Sequence, residues 1–124
     1  MSTPEVKLPG PDHPITIHPA GERVLARVGD ELIADTRDAL SLREASYPEV
    51  LYIPFDDVRP EVLRPSDTKT HCPYKGDASY YDLLVGGKEM PDAVWSYRQP
   101  HDAVAEIAGH VAFYPDRVQV SAEG

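Results

Sequence analysis

Residues 23–28 read RVLARV and residues 31–35 read ELIAD, with Gly29 and Asp30 between them. Both runs are short and mostly apolar. A Gly-Asp pair between two such runs is typical of a β-hairpin with a type I′ or II′ turn. The sequence therefore predicts two antiparallel strands here, and the rest of the chain repeats the same kind of signal.

Further strand signals recur at intervals of about 8–12 residues, the spacing of all-β domains. Val50–Ile53 is β-branched and aromatic and stops at Pro54. Gly86 and Gly87 follow an apolar run over residues 78–85 and predict a second hairpin. The other predicted strands are residues 39–44, 88–90, 93–97, 111–114 and 118–120, with residues 15–18 either an edge strand or part of a lead-in.

Helix signals are sparse. Residues 102–108 predict one short helix of about two turns, with Asp102 as its cap and Gly109 at its end. Residues 56–63 predict either a short turn or a single helical turn, for which Asp57 is a candidate N-cap. Thirteen prolines exclude a fold of long helices. The pattern favours a mainly β fold, a sandwich, barrel or folded sheet, over a parallel α/β sheet.

The length of 124 residues suits one domain, since domains commonly have about 100–150 residues. Pro4, Pro9, Pro11 and Pro14 crowd the beginning of the chain. We therefore expect a Pro-rich lead-in over residues 1–20 and a single β domain over residues 21–124.

Charge and composition limit the classes of molecule to which this protein could bind. The chain carries 12 lysines and arginines against 21 aspartates and glutamates, a formal charge of −9, which disfavours nucleic acid. No apolar run reaches the roughly 18 residues of a membrane span, and the first ten residues do not form a secretory signal. Cys72 is the single cysteine, so no internal disulfide or multi-cysteine zinc site forms. We expect a cytoplasmic monomer or weak homo-oligomer without metal or cofactor.

The segment over residues 70–81, THCPYKGDASYY, is the densest in chemistry. It predicts a rigid loop entering a strand. Pro73 restricts the backbone of the residue before it, and Gly76 allows a backbone turn that other residues resist. Lys75 is three residues from Cys72, and a nearby cation stabilises a reactive thiolate. The alternative is that Cys72 is a small buried apolar residue. In an extended chain His71 faces away from Cys72, so these two do not pair catalytically.

Tyrosine outnumbers phenylalanine seven to two, which suits either the wall of a polar pocket or the rim of an ordinary β core. Trp95 and Tyr97 share one face of their strand. Arg43 and Glu44 form either a structural ion pair or pocket groups. His13 and His18 lie in the lead-in, where we expect them to be solvated.

Five segments resemble the family called domain of unknown function 427, which comprises small bacterial and fungal proteins. They are Leu42–Arg43–Glu44, Tyr52–Ile53–Pro54 with Asp57–Val58, Thr70–Tyr81, Ala93–Tyr97 with Pro100, and Val111–Tyr114. The order Cys-Pro-x-Lys-Gly-x-Ala-x-Tyr within the third is the most distinctive. One departure is Tyr81, where relatives often carry Trp.

The resemblance implies a compact, curved antiparallel β domain, tent- or barrel-like and similar to the zinc-binding Mss4-like folds, whose zinc cysteines this chain lacks. The family also has a nucleotidyltransferase label, but we find neither the metal-binding carboxylates nor the phosphate-binding loop that such enzymes need, since the adjacent Asp56 and Asp57 are better explained as helix caps and solvated charge. The motif positions that match are Arg43, Glu44, Tyr52, Cys72, Lys75, Tyr80, Trp95 and Tyr97.

Three functions are compatible with these residues. The first is a domain that binds a small polar or anionic metabolite between aromatic side chains, with Lys75 and Arg43 holding an anionic group. The second is a thiol enzyme with Cys72 as nucleophile, Lys75 as activating cation, and Glu44 or a Tyr hydroxyl as proton carrier. The third is an interaction module without catalysis, in which the motif shapes only a loop and the core.

Overall fold

The computed structural model describes residues 6–123, so residues 1–5 of the predicted lead-in and Gly124 lie outside the described residues. Strands make up 57% of the structure and helical segments 10%, which confirms the mainly β prediction. Every strand pairing is antiparallel. No helix among residues 6–123 is both long and apolar enough to cross a membrane.

The ten strands form two sheets. They are β1 (Ile15–Pro19), β2 (Arg23–Val28), β3 (Glu31–Thr36), β4 (Leu40–Glu44), β5 (Val50–Pro54), β6 (Leu63–Cys72), β7 (Gly76–Val85), β8 (Lys88–Ser96), β9 (His110–Phe113) and β10 (Gln119–Glu123). The large sheet has the order β1-β4-β5-β9-β8-β7-β6, and the small sheet has the order β10-β2-β3. Neither sheet closes into a barrel over the described part of the chain.

Both predicted hairpins are present. β2 pairs with β3 around Gly29 and Asp30. β7 pairs with β8 around Gly86 and Gly87, whose φ angles of +58° and +81° are those that a tight primed turn requires. β1, from the predicted lead-in, is hydrogen-bonded along β4.

The large sheet buries apolar side chains on both faces. The small sheet covers one face and shares a core with it, to which Val24 and Ile33 contribute from one side and Ile53 and Leu83 from the other. On the opposite face, Val104 and Ile107 pack with Leu42, Tyr52, Ala78 and Ala112. Each fully buried aliphatic side chain of this size contributes about 1.5–3 kcal/mol to folding. The neighbours Tyr52 and Ile53 thus belong to different cores, as strand alternation requires.

The loop predicted at the beginning of the 70–81 segment is wrong. Residues 70–72 are not loop but the end of β6, and residues 73–75 are the turn of a β6–β7 hairpin. β6 lies at the edge of the sheet, where most of its side chains are exposed, so it lacks the apolar alternation that reveals a strand. Pro65 sits beside a register shift in this strand, a position that edge strands tolerate.

The helical predictions need two corrections. Asp102–Ile107 is a 3₁₀ segment broken by the non-helical backbone of Val104, and the Asp102 side chain does not cap it. Gly109, with φ of +74°, does follow the end of the segment. Asp57 ends a short 3₁₀ turn rather than capping one, because its carboxylate accepts a 2.6 Å hydrogen bond from Thr36 Oγ1.

The predicted strands 88–90 and 93–97 are one strand, β8, with an irregularity in its middle. Asp92 has a φ of +53° there, and its backbone N–H donates to the Asp82 carboxylate at 2.8 Å. At this irregularity the Asp82 carboxylate therefore accepts the hydrogen bond that a backbone carbonyl would accept in a regular pair of strands. Sequence inspection breaks the strand at Pro91, because proline normally ends a run of strand residues.

Candidate functional site

A pocket of about 260 Å³ opens where β4, β5, β7 and β8 meet the β6–β7 turn. Its lining residues are Leu42, Glu44, Tyr47, Pro48, Val50, Tyr52, Lys75, Tyr80, Trp95, Tyr97 and Tyr114. Six of the eight predicted site residues are among them: Glu44, Tyr52, Lys75, Tyr80, Trp95 and Tyr97. Far-apart segments of the sequence therefore meet at one concave surface.

Strand alternation explains which predicted residues reach the pocket. Leu42 and Glu44 point to the pocket side of β4, so Arg43 between them points away. The Arg43 side chain is exposed, and its guanidinium lies 3.6 Å from the Glu49 carboxylate. The expectation that Arg43 holds a ligand group in this pocket is therefore not supported by its position.

An ion pair lies in the wall of the pocket. The Lys75 ammonium donates to Glu44 Oε1, and each of the two side chains is only 12% exposed. His13 Nε2 lies 2.7 Å from the other oxygen, Glu44 Oε2. The Lys75 ammonium also lies 5.9 Å from the centre of the Tyr97 ring, within cation–π range. The carboxylate therefore has one partner on each oxygen, and the ammonium retains two further protons to donate.

Electrostatics keep this carboxylate charged. Burial on its own raises the pKa of Glu44, but the hydrogen bonds with Lys75 and His13 outweigh it and hold the pKa below its ordinary value of 4.5. The pair is therefore a salt bridge at neutral pH, with no net charge of its own.

The N-terminal segment contributes to the same site. His13 stacks on the Tyr74 ring, with centroids 3.8 Å apart and planes 7° from parallel. The Lys7 N–H donates to the Pro73 carbonyl at 2.9 Å. The prediction that His13 is solvated is wrong, since its ring is held between Tyr74 and Glu44. This contact could not be predicted from a local motif, because 31 residues separate His13 from Glu44.

Aromatic side chains form the rest of the wall. The Trp95 indole N–H donates to the Tyr52 hydroxyl at 3.3 Å, and the two rings meet edge to face. Trp95 also lies against Tyr114, with ring centroids 4.6 Å apart. The Tyr80 hydroxyl is 2.9 Å from Thr70 Oγ1. The polar atoms of Trp95, Tyr52 and Tyr80 in this wall therefore have hydrogen-bond partners within the protein.

Two of the pocket tyrosines, Tyr52 and Tyr97, are neutral groups at physiological pH. Burial raises the pKa of Tyr52 to about 12, more than the hydrogen bond from Trp95 lowers it. Burial also raises the pKa of Tyr97, with smaller contributions from Tyr52 and Cys72 nearby. These hydroxyls can donate hydrogen bonds to a ligand and accept them from it. They do not act as general bases at neutral pH, because burial disfavours the phenolate anion.

Cys72 does not line the pocket. It is half-buried and packs against the core on that side of the sheet. His71 points the other way, as alternation predicts, and its Nδ1 is 2.7 Å from the Asp77 carboxylate. The pairing of Cys72 with Lys75 as nucleophile and activator stays a prediction, and Lys75 is engaged by Glu44 instead.

A glycine shapes the turn that carries Lys75. Gly76 has a φ of +114°, and a methyl group added there would lie 3.4 Å from the His101 ring. The His101 N–H donates to the Lys75 carbonyl at 2.9 Å. His101 therefore holds the end of the turn at residues 75 and 76, which restricts the direction in which the Lys75 side chain leaves the backbone.

Sequence inspection missed three polar or aromatic residues of the site. Tyr114 and Tyr47 line the pocket, and His13 supports the ion pair. Tyr114 directly follows the buried Phe113, so strand alternation was a usable signal for it. Tyr47 gives no such signal, because it lies between β4 and β5 and is 64% exposed. Among residues 6–123, no group of three or more His, Cys, Asp or Glu side chains is placed to hold a metal ion.

Comparisons with known proteins agree with the resemblance in the motifs. A search of curated proteins finds no match to this chain. The family model described as "Domain of unknown function (DUF427)" matches residues 16–124. The match includes every residue that lines the pocket, whereas His13 precedes it. Since the match covers nearly the whole chain, the protein belongs to the DUF427 family.

Proposed function

We propose that this domain binds a small polar ring compound, neutral or zwitterionic, in the pocket between β4, β5, β7 and β8. The observation that carries the proposal is the Glu44–Lys75 pair, set 12% exposed in a wall made otherwise of aromatic rings. Concave sites lined by aromatic groups with a few fixed polar groups are the usual form of small-molecule sites. Glu44 accepts hydrogen bonds from such a ligand, and Lys75 donates them.

The charges favour a neutral or zwitterionic ligand over a simple anion. Lys75 is already neutralised by Glu44, and Arg43 points away from the pocket. A ligand that offers both a donor and an acceptor satisfies the pair without breaking it, and therefore avoids leaving a half-buried charge unpaired.

The dimensions favour a single ring. The volume of about 260 Å³ lies just below the roughly 300–1,000 Å³ of drug-sized sites. Trp95 and Tyr114 offer ring faces or edges for stacking, which contributes about 0.5–1.5 kcal/mol per aromatic pair beyond the area buried.

The proposal can be tested by tryptophan fluorescence, because Trp95 is the single tryptophan of the chain and lines the pocket. We expect at least one compound among uracil, cytosine, nicotinamide and proline to change its emission saturably, with a Kd of about 1 mM or tighter. In Lys75→Met we expect the affinity to fall roughly tenfold or more, because a hydrogen bond to a charged group is lost.

Lys88→Met is the matched control, since Lys88 is an exposed lysine at the β7–β8 turn and does not line the pocket. Its affinity should stay within about twofold of the wild type. The proposal fails if none of the four compounds gives a saturable change. It also fails if Lys75→Met binds as tightly as Lys88→Met.

The thiol enzyme makes a contrasting prediction. Since Cys72 packs against the core, we expect iodoacetamide to modify it at least about tenfold more slowly in the folded protein than in the unfolded chain. Both rates are measured at pH 7 by mass spectrometry, with and without denaturant. A folded-state rate equal to or above the unfolded-state rate would mean an accessible, activated thiolate and would favour catalysis by Cys72.

A further inference from the structure

A second pocket, of about 400 Å³, lies on the other side of β7 and β8 from the first and shares no lining residue with it. Strand alternation separates the two: Ser96 and Arg98 face this pocket, whereas Trp95 and Tyr97 face the first. Its lining residues are Pro54, Phe55, Asp56, Tyr81, Ser96, Arg98, Gly109, His110 and Val111.

We propose that this second pocket binds a planar ring that carries one anionic oxygen group, a carboxylate or a phosphate monoester. The proposal is independent of the function proposed above, because it concerns different residues on a different face. Its elements are a positioned guanidinium, a histidine with a fixed proton, and two aromatic rings.

The guanidinium is that of Arg98. One of its terminal nitrogens, Nη2, donates to the Tyr81 hydroxyl at 2.8 Å, and its central carbon lies 5.8 Å from the centre of the same ring. Among residues 6–123 the arginines with a carboxylate partner are Arg23, Arg43, Arg59 and Arg117. Arg98 thus has its position fixed by a neutral group and its charge unneutralised, the state in which an arginine binds an oxyanion through two hydrogen bonds.

His110 supplies a second polar group. Its Nδ1 lies 2.9 Å from the carbonyl oxygen of Ala108. Since a carbonyl only accepts, Nδ1 carries the proton and donates. The other ring nitrogen, Nε2, therefore accepts in the neutral ring and donates in the charged one.

Aromatic rings supply the apolar side. Phe55 and Tyr81 have centroids 5.8 Å apart and planes tilted by 43°. Phe55 is 39% exposed, and a ring ligand placed against it would bury that surface. Asp56 also lines the pocket, and its negative charge opposes a free inorganic anion. The ring is therefore needed for binding, and the anionic group selects among rings.

The test uses benzoate, phenyl phosphate, the neutral benzamide and inorganic phosphate as probes, each titrated into the ¹⁵N-labelled full chain and followed by amide chemical shifts. We expect benzoate or phenyl phosphate, or both, to shift amides of residues 96–98 and 109–111 saturably, with a Kd of about 1 mM or tighter. The one that binds more tightly identifies the oxygen group. Benzamide and inorganic phosphate should bind at least about tenfold more weakly.

Arg98→Met should weaken the tighter probe about tenfold or more, because the charged partner is lost. Arg64→Met is the matched control, an exposed arginine on β6 outside both pockets, and its affinity should be unchanged. The proposal is overturned if neither aromatic anion binds, if inorganic phosphate binds as tightly as they do, or if Arg98→Met binds like Arg64→Met. Movement of the Trp95 indole signal alone would place these probes in the first pocket and also overturn it.

Discussion

Replacing Tyr52 with alanine is expected to lower the free energy of unfolding by about 3–5 kcal/mol, the range for large aromatic truncations in cores. Tyr52 is 1% exposed, lies in the core on the pocket side of the large sheet, and accepts the hydrogen bond of the Trp95 indole. Truncation leaves both a cavity and an unpaired indole N–H. Urea unfolding monitored by circular dichroism measures this loss of free energy. In a separate thermal unfolding experiment, Tm should fall by roughly 10–20 °C.

Two variants separate packing from hydrogen bonding. Tyr52→Phe keeps the ring and should cost about 1 kcal/mol, because only the hydroxyl partner of Trp95 is removed. Tyr47→Ala removes a tyrosine from the same pocket, but one that is 64% exposed, and should change stability by less than about 0.5 kcal/mol. A loss below about 1.5 kcal/mol in Tyr52→Ala would contradict the placement of this ring in the core.

Glu44→Gln is expected to destabilise the protein by about 1–3 kcal/mol at pH 7, because the Lys75 ammonium loses its carboxylate in a site that is only 12% exposed. The range is below that of fully buried pairs, since solvent still reaches the edge of this one. Denaturant unfolding of the two proteins measures the difference. Lys75→Met in the Glu44→Gln background should recover part of the loss, because no unpaired charge then remains.

The pH dependence of this difference has a fixed sign. The folded-state pKa of Glu44 is lowered, so its ionisation contributes stability that is fully present above its ordinary value of 4.5. That contribution is lost as the pH falls through the lower, folded-state pKa. The gap in stability between wild type and Glu44→Gln should therefore narrow below about pH 4.5. A gap that widens on acidification would contradict the ion pair.

Much of the sheet was predictable because its signals are local. Gly29–Asp30 and Gly86–Gly87 each indicate a hairpin, because a tight turn between two strands favours such residues. Val50–Ile53 indicates a strand, because its side chains are β-branched and aromatic. β6 escaped prediction because an edge strand with polar faces carries no apolar period. Residues 102–107 follow a helical composition, but the non-helical backbone of Val104 divides them.

The site was predictable in kind but not in detail. The motif positions identified six residues that the fold brings to one pocket, because strands β4, β5, β7 and β8 present alternate residues to the same face. The outward direction of Arg43 follows from the same alternation once Glu44 is known to face inward. The contact between His13 and Glu44 depends on the path of a Pro-rich segment that has no period to read.

The two pockets lie on opposite faces of the large sheet, and we expect them to bind different classes of ligand. The first offers a neutralised ion pair, Glu44–Lys75, and the second offers the unneutralised guanidinium of Arg98. A neutral ring with donor and acceptor groups should prefer the first, and an aromatic anion the second. The same amide spectrum reports on both.

The most direct measurement is the indole N–H signal of Trp95 in a ¹H–¹⁵N spectrum of the full chain, recorded while the tightest of uracil, cytosine, nicotinamide and proline is added. The signal belongs to the single tryptophan, and its proton lies in the hydrogen bond to Tyr52. We predict that it shifts saturably in the wild type and in Lys88→Met, and about tenfold more weakly in Lys75→Met. A signal that stays in place while other amides shift would contradict binding beside the Glu44–Lys75 pair.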